Sequence, residues 1–426
     1  MDAGSGFRAA RERMETMSTS LPNALGVYVS IPFCRSKCTF CNFASGVYPA
    51  SSHARYIDRV TEDLAAAGVW AEKMGVELPR TVDSIYLGGG TPSVLAPELV
   101  ERLFTALRGA FEVAPDAEIT AECAPAQLSD ETLAALLHSG VNRVSLGVQS
   151  FVDHELKIGG RLHTRVTALE TIARLRMAGI ENLSIDLIAG LAGQTESSWE
   201  ESLEALLALG VPHASIYMLE VDEDSRLGRE LLAGGARYHA AEVPADEAIT
   251  QMYSRGIARL AGNGLQQYEI SNFARPGRES RHNLLYWQRR PYLGLGLDAS
   301  SMLLAERVGS EDSSSEQYVL RSTTTAGLTA YLNATEPPET AWLSPDRQHE
   351  EAWFLGLRRN AGVEIAAIEK EFGEMRVKRA RNALKRLEGT GLMECDGHTA
   401  RLTAQGRLFS NDVFQEFLEQ AKDEEE

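Results

Sequence analysis

The 426-residue sequence is poor in cysteine and contains no long apolar run. Its five cysteines do not form the even framework of a disulfide-rich secreted protein, so a reducing, cytoplasmic setting is expected. No run of about 18 or more apolar residues occurs, so no membrane-spanning helix is expected, and peripheral membrane contact is left open. Residues 1–26 lack the apolar segment of a secretory signal and are predicted to be a disordered leader.

Positive charge is also scarce. Lys and Arg number 42 against 60 Asp and Glu, for a formal net charge of −18. Nucleic-acid-binding proteins usually carry a basic face, so no nucleic-acid partner is expected. The net charge does not exclude a local basic pocket that binds carboxylates. The length suits one large α/β domain and a smaller one.

Short β-branched runs alternate with helical stretches between residues 27 and 220. This alternation predicts parallel strands joined by right-handed crossovers. Six units are too few for an eight-stranded barrel, so the predicted fold class is α/β with an incomplete (β/α)6-type barrel. Its functional groups should gather at the C-terminal ends of the strands. Strands are predicted at 27–31, 84–87, 118–121, 143–148, 184–188 and 214–219.

The pattern changes after the sixth predicted strand. Residues 221–305 are interpreted as a C-terminal extension of the barrel, and the polar residues 306–345, with Ser, Thr and Pro, as a linker. Residues 346–420 predict a small, mainly helical C-terminal domain. Residues 421–426 predict a solvated acidic tail.

Cys34, Cys38 and Cys41 have the spacing C-x3-C-x2-C, directly behind the first predicted strand. Ordinary buried cysteines, or a zinc site completed elsewhere, are the alternatives to a cluster. Three thiolates would leave one iron of a [4Fe–4S] cluster open. S-adenosylmethionine could chelate that iron through its amino and carboxylate groups, with Phe40 beside the nucleoside. One electron from a low-potential cluster would then break a carbon–sulfur bond and give a 5′-deoxyadenosyl radical.

A glycine-rich turn, LGGGTPS, follows the second predicted strand and contains Gly89, Gly90 and Thr91. Glycine accepts positive φ and lets backbone amides approach a ligand closely, so these amides could bind a carboxylate or amino-acid moiety. The ordinary alternative is a tight turn without a ligand.

Polar residues also mark the later strands, with Glu122, Gln149 and Asp186 in or directly after apolar runs. A buried acid is costly unless it pairs or binds something. A structural ion pair between Asp186 and Arg161 is one interpretation. The other is a substrate or cofactor role at the rim of the barrel.

The segment YEISNFARPGRESRHNLLYW, residues 268–287, contains His282. Its imidazole is a candidate heme axial ligand, and the nearby Arg275, Arg278 and Arg281 could meet heme propionates. A lone histidine is more often structural, so both interpretations stay open.

Taken together, these motifs resemble the radical S-adenosylmethionine superfamily and, within it, the coproporphyrinogen oxidase-like branch. That branch contains oxygen-independent coproporphyrinogen III oxidases and HemW-type heme chaperones. The oxidases resemble C-x3-C-x2-C-x-C, whereas Phe43 stands at the last position here, as in the chaperone group. Ser30, Ala124 and Asp298 also depart from the usual residues of the branch, which disfavours oxidase activity. The resemblance is carried by YVSIPFCRSKCTFCNF, GGGTPS, SLGVQSF, SIDLIAGLAGQT and YEISNFARPG…RHNLLYW.

The resemblance implies a radical S-adenosylmethionine barrel, a winged-helix-like C-terminal domain and a [4Fe–4S] cluster on the three cysteines. It also implies heme as cargo, heme-accepting apoproteins as partners and a reductant for the cluster. A heme chaperone is the first hypothesis, and coproporphyrinogen III oxidase or another radical enzyme, such as a methyltransferase, is the alternative. The implied S-adenosylmethionine contacts are Tyr28, Phe40, Gly89, Gly90, Thr91, Glu122, Gln149, Arg161 and Asp186.

Overall fold

The computed structural model describes residues 24–305 and 317–418. The predicted leader up to residue 23 and the predicted acidic tail lie outside these ranges. The last part of the leader prediction is wrong, because Leu25 and Gly26 already belong to the first strand, where Leu25 is fully buried.

Six parallel strands form the centre of a 12-stranded sheet and confirm the predicted incomplete barrel. The strands are β1 Leu25–Ile31, β2 Thr81–Gly89, β3 Glu112–Cys123, β4 Arg143–Gln149, β5 Asn182–Ala189 and β6 His213–Met218. The helices are α1 Ser51–Met74, α2 Pro97–Ala110, α3 Asp130–His138, α4 Asp153–Ile158, α5 Arg165–Met177 and α6 Glu196–Leu209. The strands are buried on both faces because helices cover the outside, as parallel sheets require.

The extension after β6 adds strands at both edges of this sheet. On one side β8 (Asn272–Ala274) pairs with β6, and on the other β9 (Tyr292–Leu295) runs parallel to β1 and leads to three antiparallel strands. The added elements are α7 Arg226–Leu232, α8 Asp246–Ala261, β7 Gln266–Gln267, β8 Asn272–Ala274, α9 Arg281–Trp287, β9 Tyr292–Leu295, β10 Ser300–Leu304, β11 Val319–Thr323, α10 Leu328–Asn333 and β12 Glu339–Leu343.

The predicted linker, residues 306–345, is wrong over its described part. β11 and β12 belong to the main sheet, and Val319 and Leu320 are buried in it. A strand near a sheet edge exposes much of its surface, so Ser and Thr fit there without marking a flexible connection. Residues 306–316 lie outside the described ranges.

The C-terminal unit has its own three-stranded antiparallel sheet and its own apolar core. Trp353, Val377, Ala400 and Val413 are fully buried in this core. The prediction of a small, mainly helical unit is confirmed. None of the described helices is long and apolar enough to cross a membrane. The elements are α11 Pro345–Leu357, β13 Val363–Glu364, α12 Ile365–Phe372, α13 Glu374–Gly389, β14 Met393–Cys395, β15 Thr399–Leu402, α14 Ala404–Leu408 and α15 Ser410–Gln415.

Replacing Trp353 with Ala should lower the free energy of unfolding of the C-terminal unit by about 3–5 kcal/mol. The indole is fully buried, stacks on Phe417 at 5.2 Å and donates to His349 Nε2 at 2.9 Å. Urea denaturation with hydrogen exchange would measure the loss. Trp342→Ala is the control: this side chain is 46% exposed and should cost less than about 1 kcal/mol. Equal losses would contradict the described core.

Candidate cofactor site

The loop after β1 brings the three clustered cysteines to one cavity of about 460 Å³. Cys34, Cys38 and Cys41 are half-buried and free of disulfides. The amide of Cys34 donates to the carbonyl of Gly46 at 2.9 Å, and the amide of Thr39 donates to Gly159 at 3.1 Å. These bonds fix the backbone between the thiols.

Each of the three sulfur atoms has a polar neighbour. The contacts are Thr91 Oγ1 to Cys34 Sγ (3.7 Å), Arg161 Nη1 to Cys38 Sγ (3.3 Å) and Ser45 Oγ to Cys41 Sγ (3.9 Å). Burial raises the pKa of the Cys34 thiol, partly offset by hydrogen bonds from Thr91 and Ser45. Metals bind the thiolate form, which the hydroxyl groups of Thr91 and Ser45 favour at Cys34 against the effect of burial.

The three cysteine thiols supply the donor type that iron–sulfur clusters use, and they line one cavity. Within residues 24–305 and 317–418, no three His, Cys, Asp or Glu side chains are grouped so that they could hold one ion. In a [4Fe–4S] cluster each cysteine binds a different iron, so three thiols can stand apart around one cavity. The donor set therefore fits the cluster predicted from the spacing.

The glycine-rich turn lies against the cysteine loop, and its amides are already used within the protein. Gly90 donates to the carbonyl of Ile31 at 3.0 Å, and Thr91 donates to Phe33 at 2.8 Å. The amide of Gly89 bonds Glu122. That these amides hold a carboxylate of the ligand stays a prediction, and it requires them to exchange these partners. The turn still lines the cavity through Gly89, Gly90 and Thr91.

The polar residues of the later strands meet in the same cavity, at the C-terminal end of the barrel. Glu122, Gln149, Arg161 and Asp186 all line it, together with Phe40. This is the end of the barrel at which functional groups were expected to gather. Gln149 has φ of 72°, a left-handed conformation that non-glycine residues adopt rarely and mostly where surrounding structure enforces it.

Asp186 and Arg161 do not form the structural ion pair considered as an alternative. Asp186 accepts hydrogen bonds from Ser145 at 3.1 Å and Ser184 at 3.2 Å. Arg161 instead donates to Cys38 and to the carbonyl of Gly147. Burial raises the pKa of Asp186, and the serine hydroxyls oppose that rise. The hydrogen bonds of Asp186 therefore come from hydroxyl groups, and the guanidinium of Arg161 contacts the cysteine loop instead.

Tyr28 and His282 lie outside the lining of this cavity. Tyr28 is close to the turn, since a Cβ on Gly89 would stand 3.2 Å from its hydroxyl. The His282 ring is buried, and both its nitrogens are engaged, with Ser84 Oγ and Tyr286 Oη at 2.9 Å each. A heme ligand needs an accessible ring nitrogen, so ligation by His282 stays a prediction, and it requires the ring to give up one of these two hydrogen bonds.

Several lining residues were not predicted from the sequence. Ser145 and Tyr217 sit on β4 and β6, where the strand alternation alone could have pointed to them. Arg358 comes from the end of α11 in the C-terminal unit, and nothing in the local sequence indicates that it reaches the barrel. Phe43, which stands where the oxidases carry one more cysteine, lines the mouth with its side chain 61% exposed.

The fold and the cysteine loop define a radical S-adenosylmethionine protein. Residues 28–206 match the radical SAM superfamily, and residues 343–409 match the HemN C-terminal domain. A radical SAM domain implies a [4Fe–4S] cluster and S-adenosylmethionine. The solved structure of coproporphyrinogen III oxidase HemN from Escherichia coli superposes with a TM-score of 0.76 at 22% identity, covering 95% of this chain and 93% of the other. That likeness shows the fold alone.

Sequence relatives narrow the class further. Heme chaperone HemW of Lactococcus lactis is 34% identical over 401 residues, which are 93% of this chain and 97% of the relative. Heme chaperone HemW of Bacillus subtilis is 32% identical, with 92% and 98% covered. The chain belongs to the HemW family of radical SAM proteins.

Replacing Glu122 with Gln should remove a pH dependence of stability between about pH 4.5 and 7. Burial raises the pKa of Glu122 to about 7, opposed by a hydrogen bond from Tyr86 at 2.9 Å. The folded state therefore holds a proton that the unfolded chain releases near pH 4.5, so this group destabilises the fold as pH rises through that window. Urea denaturation at a series of pH values would measure it.

Glu112→Gln is the matched control, because this exposed residue lies on the same strand. Its stability curve should run parallel to that of the wild type. If the Glu122→Gln curve also stays parallel, the buried neutral carboxyl is refuted.

Proposed function

We propose that this protein is a heme chaperone, which binds heme together with a [4Fe–4S] cluster and S-adenosylmethionine and delivers the heme to acceptor proteins. Two observations support the proposal. The HemW relatives align over nearly their whole length. In addition, the mouth of the cavity carries the exposed Phe43, where an oxidase would have a further sulfur.

In this proposal the residues of the cavity divide into three tasks. Cys34, Cys38 and Cys41 hold the cluster, and Arg161 keeps the loop in place by bonding both Cys38 and the barrel strand at Gly147. The second group surrounds S-adenosylmethionine: Phe40, Gly89, Gly90, Thr91, Glu122, Gln149, Arg161 and Asp186 line the cavity, and Tyr28 lies beside Gly89 outside the lining. The exposed rim at Phe43 is the side from which a large ligand enters. When bound, the cluster supplies one electron for reductive cleavage of a carbon–sulfur bond.

Reconstituted anaerobically, the full chain should bind about four irons and also bind heme without altering it. Heme titration followed at the Soret band measures binding, and chromatography of the extracted porphyrin checks that it is unchanged. With dithionite and added S-adenosylmethionine, the chain should release 5′-deoxyadenosine and methionine. Cys38→Ala should lose most of the iron and this activity, whereas Cys395→Ala, in the C-terminal unit, should keep both.

The same preparation distinguishes a heme chaperone from a coproporphyrinogen III oxidase. Conversion of coproporphyrinogen III to protoporphyrinogen IX would overturn the chaperone proposal in favour of the oxidase. Delivery is tested by mixing the heme-loaded chain with an apo-hemoprotein. A transfer rate that rises with acceptor concentration indicates direct delivery, and a constant rate indicates simple dissociation and argues against it.

His282→Ala should leave the heme affinity unchanged while lowering the free energy of unfolding by about 2–4 kcal/mol. The reason is that the ring is buried and hydrogen-bonded to Ser84 and Tyr286 inside the barrel. Heme titration and urea denaturation of the same preparation give both numbers. A lost Soret shift in a variant that is still folded would restore His282 as the ligand.

A further inference from the structure

The helix α9 carries an aromatic residue whose role the cofactor site does not explain. Trp287 ends the HNLLYW segment, and the guanidinium carbon of Arg358 lies 4.4 Å above the centre of its ring. At this distance the ring face attracts the cation and holds it in one orientation. Arg358 belongs to the C-terminal unit, so the contact joins two parts of the chain.

Backbone contacts fix the segment that carries Arg358 against the barrel extension. The amide of Asn360 donates to the carbonyl of Tyr268 at 3.0 Å, and its side-chain amide donates to the carbonyl of Gln267 at 2.7 Å. Glu269 and Arg359 form an isolated antiparallel bridge. The position of Arg358 is therefore set by main-chain pairing as well as by the indole.

Arg358 lines the same cavity as the three cysteines. Two other cations line it, and both are committed. Lys37 donates to the carbonyls of Phe43 and Ser45 at 2.5 and 3.0 Å, and Arg161 donates to Cys38 and Gly147. Within the described part of the chain, Arg358 forms no hydrogen bond or ion pair, and its buried Nε has no partner. Its charge does act on the buried carboxyl of Glu269, where it opposes the rise in pKa that burial causes.

An oriented guanidinium with unused donors at a cavity is suited to a carboxylate, which it can bind through two parallel hydrogen bonds. The lining also contains the acids Glu220 and Asp222, which follow β6, whereas burial favours the neutral form of Glu122. They repel an anion elsewhere in the cavity and leave the neighbourhood of Arg358 as its favoured place.

We propose that Arg358 binds a propionate carboxylate of heme and that Trp287 is the positioning residue that orients it. This inference rests on the proposed heme-binding function. It assigns the HNLLYW segment a part in heme recognition through its tryptophan, in place of ligation by its histidine.

The test compares heme with its dimethyl ester, in which both propionates are blocked, on the cluster-loaded full chain. Arg358→Gln should weaken heme binding about 10- to 100-fold. It should leave the weaker binding of the ester unchanged, because the ester offers no carboxylate to the guanidinium. Arg358→Lys keeps the charge but not the paired geometry and should fall between wild type and Arg358→Gln. Soret titrations of each variant with heme and with the ester give the difference in binding free energy that depends on the propionates.

Arg381→Gln is the matched control, since it removes one charge from the same C-terminal unit at an exposed ion pair with Glu369. It should bind both porphyrins as the wild type does. Trp287→Leu should weaken heme binding about 3- to 10-fold, with rescue by Trp287→Phe. Circular dichroism and S-adenosylmethionine binding, measured by equilibrium dialysis, should be unchanged in every variant.

The outcomes are distinguishable. Equal losses for heme and ester, or no loss for either, overturn the assignment of Arg358. A loss of S-adenosylmethionine affinity with heme binding intact would assign Arg358 to the carboxylate of that ligand and overturn the heme contact. If the wild type binds neither porphyrin, the proposed function itself fails.

Discussion

The parallel pairing of β1 with β2 is the constraint on which the site depends. Its register sets Ile31 opposite Gly89, and the hydrogen bonds of Gly90 and Thr91 continue the pairing into the cysteine loop. A Cβ on Gly90 would lie 2.6 Å from the carbonyl oxygen of Ile31, nearer than real Cβ atoms come to backbone. Glycine is therefore required at position 90, where the two backbones approach closely. The register of β1 and β2 also sets the direction in which the cysteine loop leaves the sheet.

Below the cavity the barrel interior is polar. The free-energy cost of burying these polar groups is offset by a connected set of hydrogen bonds. Glu118 accepts from the amides of Arg281 and His282, so a carboxylate meets the first turn of α9, where free amides favour a negative charge. Burial next to Arg143 lowers the pKa of His282 to about 3 and that of His213 well below its usual value. Both rings are neutral and act as hydrogen-bonding partners in the core.

The barrel and its cavity could be predicted from the sequence because their signals are local. Alternating runs indicate the strands, and one polar residue per strand end indicates the rim, which is why Glu122 and Asp186 were found. The linker prediction failed because Ser and Thr suit a half-exposed strand as well as a loop. His282 has the residue type of a ligand, but its burial depends on Ser84 and Tyr286, and such contacts are not encoded in spacing.

The HNLLYW segment places two of its side chains in different surroundings. A seven-residue helix has room for two faces: His282 points into the barrel core, where it packs at 5.2 Å from Tyr86, and Trp287 supports Arg358 at the cavity. The first face fixes where the helix lies, and that placement sets the position of the indole. A ligand contact at Arg358 would thus involve Trp287 of this helix and not His282. The cavity therefore depends on the fold of the C-terminal unit, because that unit supplies Arg358. The two cations that the barrel itself places there, Lys37 and Arg161, already donate hydrogen bonds within the protein.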